Sequence, residues 1–348
     1  MITISVCMIV KNEEAVLARC LDSLEGLYDE LVIVDTGSND RTKEIAAGYT
    51  DKVYDFEWVN DFSKARNFAF SKCTKDYIYS VDADEVLDAE NRSRFITLAN
   101  RLIPEIEIVQ MWYINTNEYA TTENFSKELR PKLYKRLREF TWIDPIHESV
   151  NLNPVVYDSD IEILHMPVSN HADRDFKTFE NAIARGEHMS DKLLMMYARE
   201  LMIAGEKQHL ENARDFFIRE AVNDNRSAEH KQMCYVALAK GYMNSSDPVS
   251  VSEFFKWCLK NVGGTPCSEI CLLLGDHYFA QDDMDEAFIW YCNALNEAEP
   301  ILEKDSGRKK PLLGMAAVYR KLAEADEENR ESLLYDAKEI EQKALEND

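Results

Sequence analysis

No CxxC pair occurs among the eight cysteines of this 348-residue chain, and most of them stand in strand-like or helix-like apolar patterns. A zinc or disulfide framework is therefore not indicated, and the expectation is buried, reduced thiols in a cytoplasmic protein. No apolar run approaches the ~20 residues of a membrane span, so no transmembrane segment is expected. Basic side chains are outnumbered: 40 Lys+Arg face 64 Asp+Glu, a formal charge of -24, with the acidic excess spread over both halves. Nucleic acid or an anionic membrane as the main partner would call for a basic face. A neutral or basic acceptor and divalent cations remain compatible. The opening run Ile2 to Val10 is apolar but short, lacks a basic leader and leads into Lys11-Asn12-Glu13-Glu14, which reads as a buried first strand rather than a signal peptide. Glycine is absent before Gly26, so the Gly-rich basic loop that a nucleotidyltransferase carries after its first strand is missing.

The first hundred residues alternate strand-like and helix-like segments. Residues 3–10 are followed by a helical pattern through Leu24, the run Leu31-Val32-Ile33-Val34, a helix with Ile45 and Ala46, then Val53 to Phe56, a helix from Phe62 to Ser71, and Tyr77 to Val81. That alternation predicts a doubly wound, mostly parallel sheet, in which ligands bind outside the carboxyl ends of the strands. From Ile106 to Leu164 strand-like runs take over, and from Phe176 onward the pattern is helical. The expected domains are 1–175, α/β and catalytic, and 176–348, all helical. With Gly275 as phase mark, Leu274, Gly275, Tyr278, Ala287, Tyr291, Ala294 and Pro300 fall close to a tetratricopeptide repeat of ~34 residues, and Tyr235, Leu238, Ala239, Tyr242, Phe255 and Cys258 echo it one unit earlier. Such stacked hairpins serve either as a binding surface or as a purely structural or self-associating stack.

Two carboxylate segments end predicted strands. Asp35-Thr36-Gly37-Ser38-Asn39-Asp40 follows the second; it suits either a base or ribose contact or an Asx turn that caps the next helix. Asp82-Ala83-Asp84 follows Tyr77 to Val81. Two carboxylates one residue apart at the end of a buried strand are costly unless compensated, and a hard divalent ion with oxygen ligands compensates them while bridging to phosphate. On the later segment, Glu148, after His147, suits a general base in a partly closed pocket, with Asp144 as its rival; a solvated turn and a strand histidine are the plain readings of the pair. His165 ends a strand-like run and offers an imidazole ligand, with His171 competing. Lys127, Arg130, Lys132, Lys135, Arg136 and Arg138 form a basic island suited to holding a diphosphate or to balancing nearby acid.

Taken together, Ser5 to Glu14, Val34 to Thr42, Trp58 to Asn67 with its Ala65-Arg66-Asn67 triplet, and Val81 to Glu85 resemble family-two glycosyltransferases of GT-A fold, and most of all the bacterial branch with tetratricopeptide repeats, which includes enzymes that glycosylate peptides and proteins. The resemblance implies a UDP-sugar donor and inversion at the anomeric carbon. It puts Asp35 on the uracil, Val10, Lys11 and Glu13 along base and ribose, Arg66 closing that pocket, Asp82 and Ala83 at ribose or phosphate, Asp84 with His165 on Mn²⁺ or Mg²⁺, and Glu148 with His147 on the acceptor side. The implied activity is hexosyl or N-acetylhexosaminyl transfer. The acceptor is expected to be a protein or peptide presented to the repeats, with a lipopolysaccharide or capsule glycan as the alternative. A non-catalytic repeat scaffold with a relic transferase domain is the rival from another class.

Overall fold

The computed structural model describes residues 2–115, 127–150, 154–167, 172–243, 245 and 247–346. The chain divides into two compact units, Met1–Arg185 and Gly186–Asp348.

In the first unit the alternation of strand and helix is present. It runs β1 (Ile4–Val10), α1 (Leu17–Leu24), β2 (Glu30–Asp35), α2 (Thr42–Ala47), β3 (Val53–Asp55), α3 (Phe62–Lys72), β4 (Tyr77–Ser80), β5 (Glu85–Val86) and α4 (Ala89–Arg101). Then come β6 (Ile108–Asn115), β7 (Lys127–Lys135), β8 (Trp142–Ile143), β9 (Ser149–Val150), β10 (Val156–His165) and α5 (Ala172–Ala184). All six residues of β2 are buried, as a strand covered on both faces requires. Helix α1 buries Leu17, Cys20, Leu21 and Leu24, the i, i+3, i+4, i+7 stripe of an amphipathic helix. Helix α3 starts at Asp61, whose carboxylate accepts from the Lys64 N–H, an N-cap that satisfies one orphan donor.

Eight strands form one sheet in the order β3-β2-β1-β4-β7-β6-β10-β5. Strand β1 is parallel to β2 and β4, and β2 to β3. Beyond β4 the directions mix: β7 is antiparallel to β4 and β6, β10 is parallel to β6 and antiparallel to β5. Strands β8 and β9 make a separate two-stranded ribbon. Because β1, β2 and β4 are parallel, their carboxyl ends lie side by side, with Val10 opposite Asp35, and the loops that follow them meet at one edge.

The second unit is all helical: α6 (Asp191–Ala204), α7 (Lys207–Ala221), α8 (Ala228–Tyr242), α9 (Pro248–Val262), α10 (Ser268–Ala280), α11 (Met284–Asn296), α12 (Lys309–Ala325) and α13 (Arg330–Glu346). Ser190, Ser227, Asp247 and Asp283 cap four of these helices with side-chain oxygens. The expected phase mark has a packing reason. A Cβ on Gly275 would stand 2.6 Å from the Tyr291 ring, and one on Gly314 would meet the same ring at 2.6 Å. Tyr291 thus lies between two glycines of α10 and α12, and its hydroxyl donates to Asp276 at 2.8 Å. No helix among the described residues is long and apolar enough to cross a membrane, and the cysteines are free thiols, all buried except the half-buried Cys292.

Candidate active site

The loops after β1 and β2 are stitched into one rim. Asn12, in the left-handed region at φ 56°, donates its N–H to Ser38 Oγ at 2.9 Å and accepts from the Asn39 N–H at 2.8 Å. The Glu13 N–H donates to Thr42 Oγ1 at 2.7 Å, and the Val10 carbonyl accepts from the Thr36 N–H. Lys11 extends from this rim with an exposed side chain. Asp35 is 2% exposed. Its Oδ1 accepts from the Gly37 and Ser38 N–H groups, each at 3.0 Å, whereas its Oδ2 is buried with no hydrogen-bond partner. One oxygen therefore closes an Asx turn, and the other is a buried acceptor that the turn does not use.

Asp82, Ala83 and Asp84 follow β4. Ala83 packs into the core, and the two flanking carboxylates are half-buried. Antiparallel pairing of β10 with β5 sets His165 opposite Glu85, and this brings His165 Nε2 within 3.1 Å of Asp84 Oδ2. The two residues expected to share a metal are thus neighbours in space, 81 positions apart in sequence. The ring of Tyr113 lies 4.9 Å from that of His165, and the Arg130 guanidinium stands 3.7 Å over Tyr113. Among the described residues no group of three or more His, Cys, Asp or Glu side chains could hold a metal by itself. His171 lies outside the described residues.

Charge in this region is uneven. Burial opposes ionisation of Asp82, yet Lys132 and Arg66 hold its carboxyl well below the usual range. Glu13 goes the other way: burial and the neighbouring Asp84 push it up to about 7 against the pull of Arg174. Glu85, 2% exposed, is likewise raised to about 7 by burial against the pull of Lys132, with one oxygen on Lys132 and the other, Oε2, without a partner.

Arg66 is the hub. Its Nε donates to Glu148 Oε1 at 2.6 Å, its Nη1 to Ser80 Oγ at 2.7 Å and its Nη2 to Asp82 Oδ1 at 3.4 Å, while the guanidinium lies 5.0 Å from the centre of the Trp142 ring. One side chain thereby ties the end of β4 to the β8–β9 ribbon. The turn of that ribbon holds two non-glycine residues in the left-handed region, Asp144 at φ 74° and His147 at φ 49°, the kind of backbone strain that clusters at functional sites. His147 lays its ring against Phe179 of α5, 6.0 Å between centres; Glu148, by contrast, reaches Arg66. Asp144, the rival base, is half-buried in the same turn.

The basic island separates in space. Lys132 is drawn to Glu85 and lies 3.8 Å from Asp82, and Arg130 covers Tyr113 beside it. The other four are engaged elsewhere: Lys127 with Glu162, Lys135 with the Pro104 carbonyl, Arg136 with the Lys75 carbonyl and Arg138 with Glu107. Sequence reasoning had no specific role for Ser80, Tyr113, Lys132 or Trp142. A signal existed for Lys132 alone, a charged residue directly before the buried pair Leu133-Tyr134, and β7 pairs Leu133 with Tyr79, so its predecessor arrives beside the end of β4.

An α/β unit that gathers carboxylates of separate loops at the carboxyl ends of parallel strands places them where sheets of this kind bind ligands. Residues 5–151 match the model of the family described as glycosyl transferase family 2. The chain is 47% identical over 90 residues to a TPR repeat-containing protein of Synechococcus elongatus, covering 26% of this chain and 22% of that protein. It is 28% identical over 210 residues to the SPbeta prophage-derived glycosyltransferase SunS of Bacillus subtilis, covering 57% of this chain and 49% of that one. The chain thus spans about half the length of these relatives or less. Among solved structures, glucosyl-3-phosphoglycerate synthase from Mycobacterium tuberculosis with Mn²⁺, UDP and its product superposes with a TM-score of 0.40 at 17% identity, covering 54% of this chain and 82% of that one.

Proposed function

We propose that this chain is an inverting glycosyltransferase that moves a sugar from a UDP-sugar to an acceptor, and that the acceptor is a protein or peptide. The observation that carries the reading is the convergence on Arg66: its guanidinium touches Ser80, Asp82 and Glu148 at once, so the end of β4 and a separate carboxylate stand on either side of one cation.

On the donor side, Asp35 Oδ2 is a buried acceptor without a partner, suited to a uracil N–H, since a buried polar atom left unpaired in the free protein costs about 1–3 kcal/mol that a ligand donor recovers. Val10, Lys11 and Glu13 line the same rim for base and ribose, and Asp82 with the backbone of Ala83 faces ribose or phosphate. Asp84 and His165 suit a divalent ion such as Mn²⁺ or Mg²⁺. Their donor set is a hard oxygen and an imidazole, and the negative charge of Asp84, which adds to burial in raising Glu13, is of the sign a cation relieves. When bound, the ion supplies charge stabilisation to the leaving diphosphate.

On the acceptor side, Glu148 takes the proton from the attacking acceptor atom as that atom bonds to the anomeric carbon and the carbon–oxygen bond to the diphosphate breaks; one displacement inverts the centre. Arg66 holds Glu148 by one oxygen, leaving the other for the acceptor. The helical repeats provide the extended surface that a polypeptide acceptor needs. A panel of UDP-hexoses and UDP-N-acetylhexosamines, incubated with the protein plus Mn²⁺ or plus chelator, tests the donor half. Cation-dependent release of UDP that is lost in Asp84→Ala supports it; absence of turnover and of cation-dependent UDP binding for every donor would leave a repeat scaffold with a relic domain.

A further inference from the structure

The ribbon that carries Glu148 has little to stand on. Strands β8 and β9 have two residues each and, among the described residues, pair with one another alone, and a two-stranded hairpin is marginal by itself in water. Besides the ring contacts of Trp142 with Tyr134 and of His147 with Phe179, its anchors come from α3, at positions 62, 66, 67 and 70. The Phe62 N–H donates to the Pro145 carbonyl at 2.8 Å. Arg66 pairs with Glu148, and the Phe70 ring meets Trp142 edge-on at 5.5 Å. Asn67 makes the most complete contact: its Nδ2 donates to the Trp142 carbonyl at 2.9 Å, and its Oδ1 accepts from the Trp142 N–H at 2.8 Å. The amide side chain thus pairs with a backbone donor and acceptor of one residue as a neighbouring strand would. The Trp142 indole N–H is buried with no partner, so the ring itself adds no polar anchor.

We propose that Asn67 is a positioning residue for the acceptor side of the site: it completes the β8–β9 ribbon in place of a third strand and so fixes where Glu148 stands. The catalytic consequence rests on Glu148 being the base, as proposed above; the clamp itself rests on hydrogen bonds alone. Among the described residues the Asn67 side chain hydrogen-bonds to Trp142 and not to Asp35, Asp82 or Asp84, so its loss is expected to leave donor binding intact.

The test joins amide hydrogen exchange with a double-mutant cycle. In Asn67→Ala, exchange across residues 140–150 rises about tenfold or more while that of β1 and β2 is unchanged. Cation-dependent hydrolysis of the UDP-sugar that wild type turns over fastest falls about 10–100-fold in kcat, with KM for the donor altered less than about twofold. Added to Glu148→Gln, Asn67→Ala produces no further loss, because the residue it positions is already disabled. Unchanged exchange in the ribbon, a general rise that includes β1 and β2, or a loss that multiplies with that of Glu148→Gln overturns the proposal. Should Glu148→Gln leave hydrolysis intact, the base assignment fails, and faster ribbon exchange alone upholds the clamp. Asn67→Ser, which keeps a single oxygen acceptor, replaces Asn67→Ala if the latter does not fold.

Discussion

Both units bury carboxylates, and they treat them differently. In the helical unit Glu269, fully buried, accepts from the backbone N–H groups of Ile301, Leu302 and Glu303, and Glu303, also buried, is paired with Lys310. In the α/β unit Asp35 and Glu85 each keep one oxygen buried without a partner, and Glu13 is pushed up to about 7 beside Asp84. Physical chemistry gives the distinction a meaning. A satisfied buried anion holds architecture together, whereas an unsatisfied one is a standing cost that folding alone does not explain. Asp35 Oδ2 and Glu85 Oε2 lie near the carboxyl ends of β2 and β4; the contrast is between these residues and Glu269, and does not extend to every buried carboxylate of the helical unit, Glu200 among them. If this contrast is real, substitutions on one side cost activity and on the other stability.

The largest expected effect is on the activity side. Glu148→Gln keeps an oxygen for the Arg66 Nε but removes the proton acceptor, and transfer or hydrolysis should fall about 10²–10⁴-fold with UDP affinity near that of wild type in calorimetric titration. Loss of UDP binding together with activity would instead mean that Glu148 only maintains the fold. On the stability side, Glu269→Ala strips the acceptor from three buried N–H groups and should cost about 3–4 kcal/mol in denaturant unfolding, leaving UDP binding by the α/β unit unchanged. A cost below about 1 kcal/mol would show that Glu269 is not the structural anchor described.

A third substitution tests whether a satisfied carboxylate in the α/β unit obeys the same rule. Glu30, 5% exposed, is opposed by burial, yet hydrogen bonds from Lys52, Ser5 and Thr74 outweigh it and hold its carboxyl at about 2 against an ordinary 4.5. A folded value below the unfolded one contributes stability at pH above 4.5, and that contribution is lost as pH falls from 4.5 towards 2. Linkage puts it on the order of 3 kcal/mol. Glu30→Gln should therefore be less stable than wild type at pH 7 and show a flatter acid limb in unfolding followed against pH; parallel limbs would remove Glu30 from the list of satisfied anchors.

What could be read from the sequence follows the same division. Asp35, Asp82 and Asp84 stand at the ends of uninterrupted apolar strands, so their place in a parallel sheet followed from local pattern, and Gly275 was readable because only a residue without a side chain fits beside Tyr291. The hub at Arg66 was not readable as a hub. Its three partners lie 14, 16 and 82 positions away, and only the antiparallel excursion of β7 and the strained turn at Asp144 and His147 bring the last of them close. The basic island shows the opposite failure: six cations adjacent in sequence alternate sides along β7 and the turn after it, so proximity in the chain said little about shared function. Only the place of Lys132 directly before the buried pair Leu133-Tyr134 sets it, directed to Glu85, apart from Lys135, directed to a carbonyl.

Asp35 offers the finest test, because one side chain holds both kinds of oxygen. Asp35→Asn retains Oδ1 for the Gly37 and Ser38 N–H groups, so the turn survives, but it replaces the unpartnered Oδ2 with an amide donor and removes the charge. If the free oxygen exists for a ligand, UDP affinity falls about 10–100-fold, the 1–3 kcal/mol of one buried hydrogen bond, and the melting temperature holds or rises, since a buried uncompensated charge has been removed. If Oδ2 is incidental, UDP affinity stays put and the protein is at best as stable as before. A fall in stability with unchanged affinity would return Asp35 to the company of Glu269 and Glu30, as an anion kept for the turn it closes, and the distinction between satisfied and unsatisfied carboxylates would no longer mark the site.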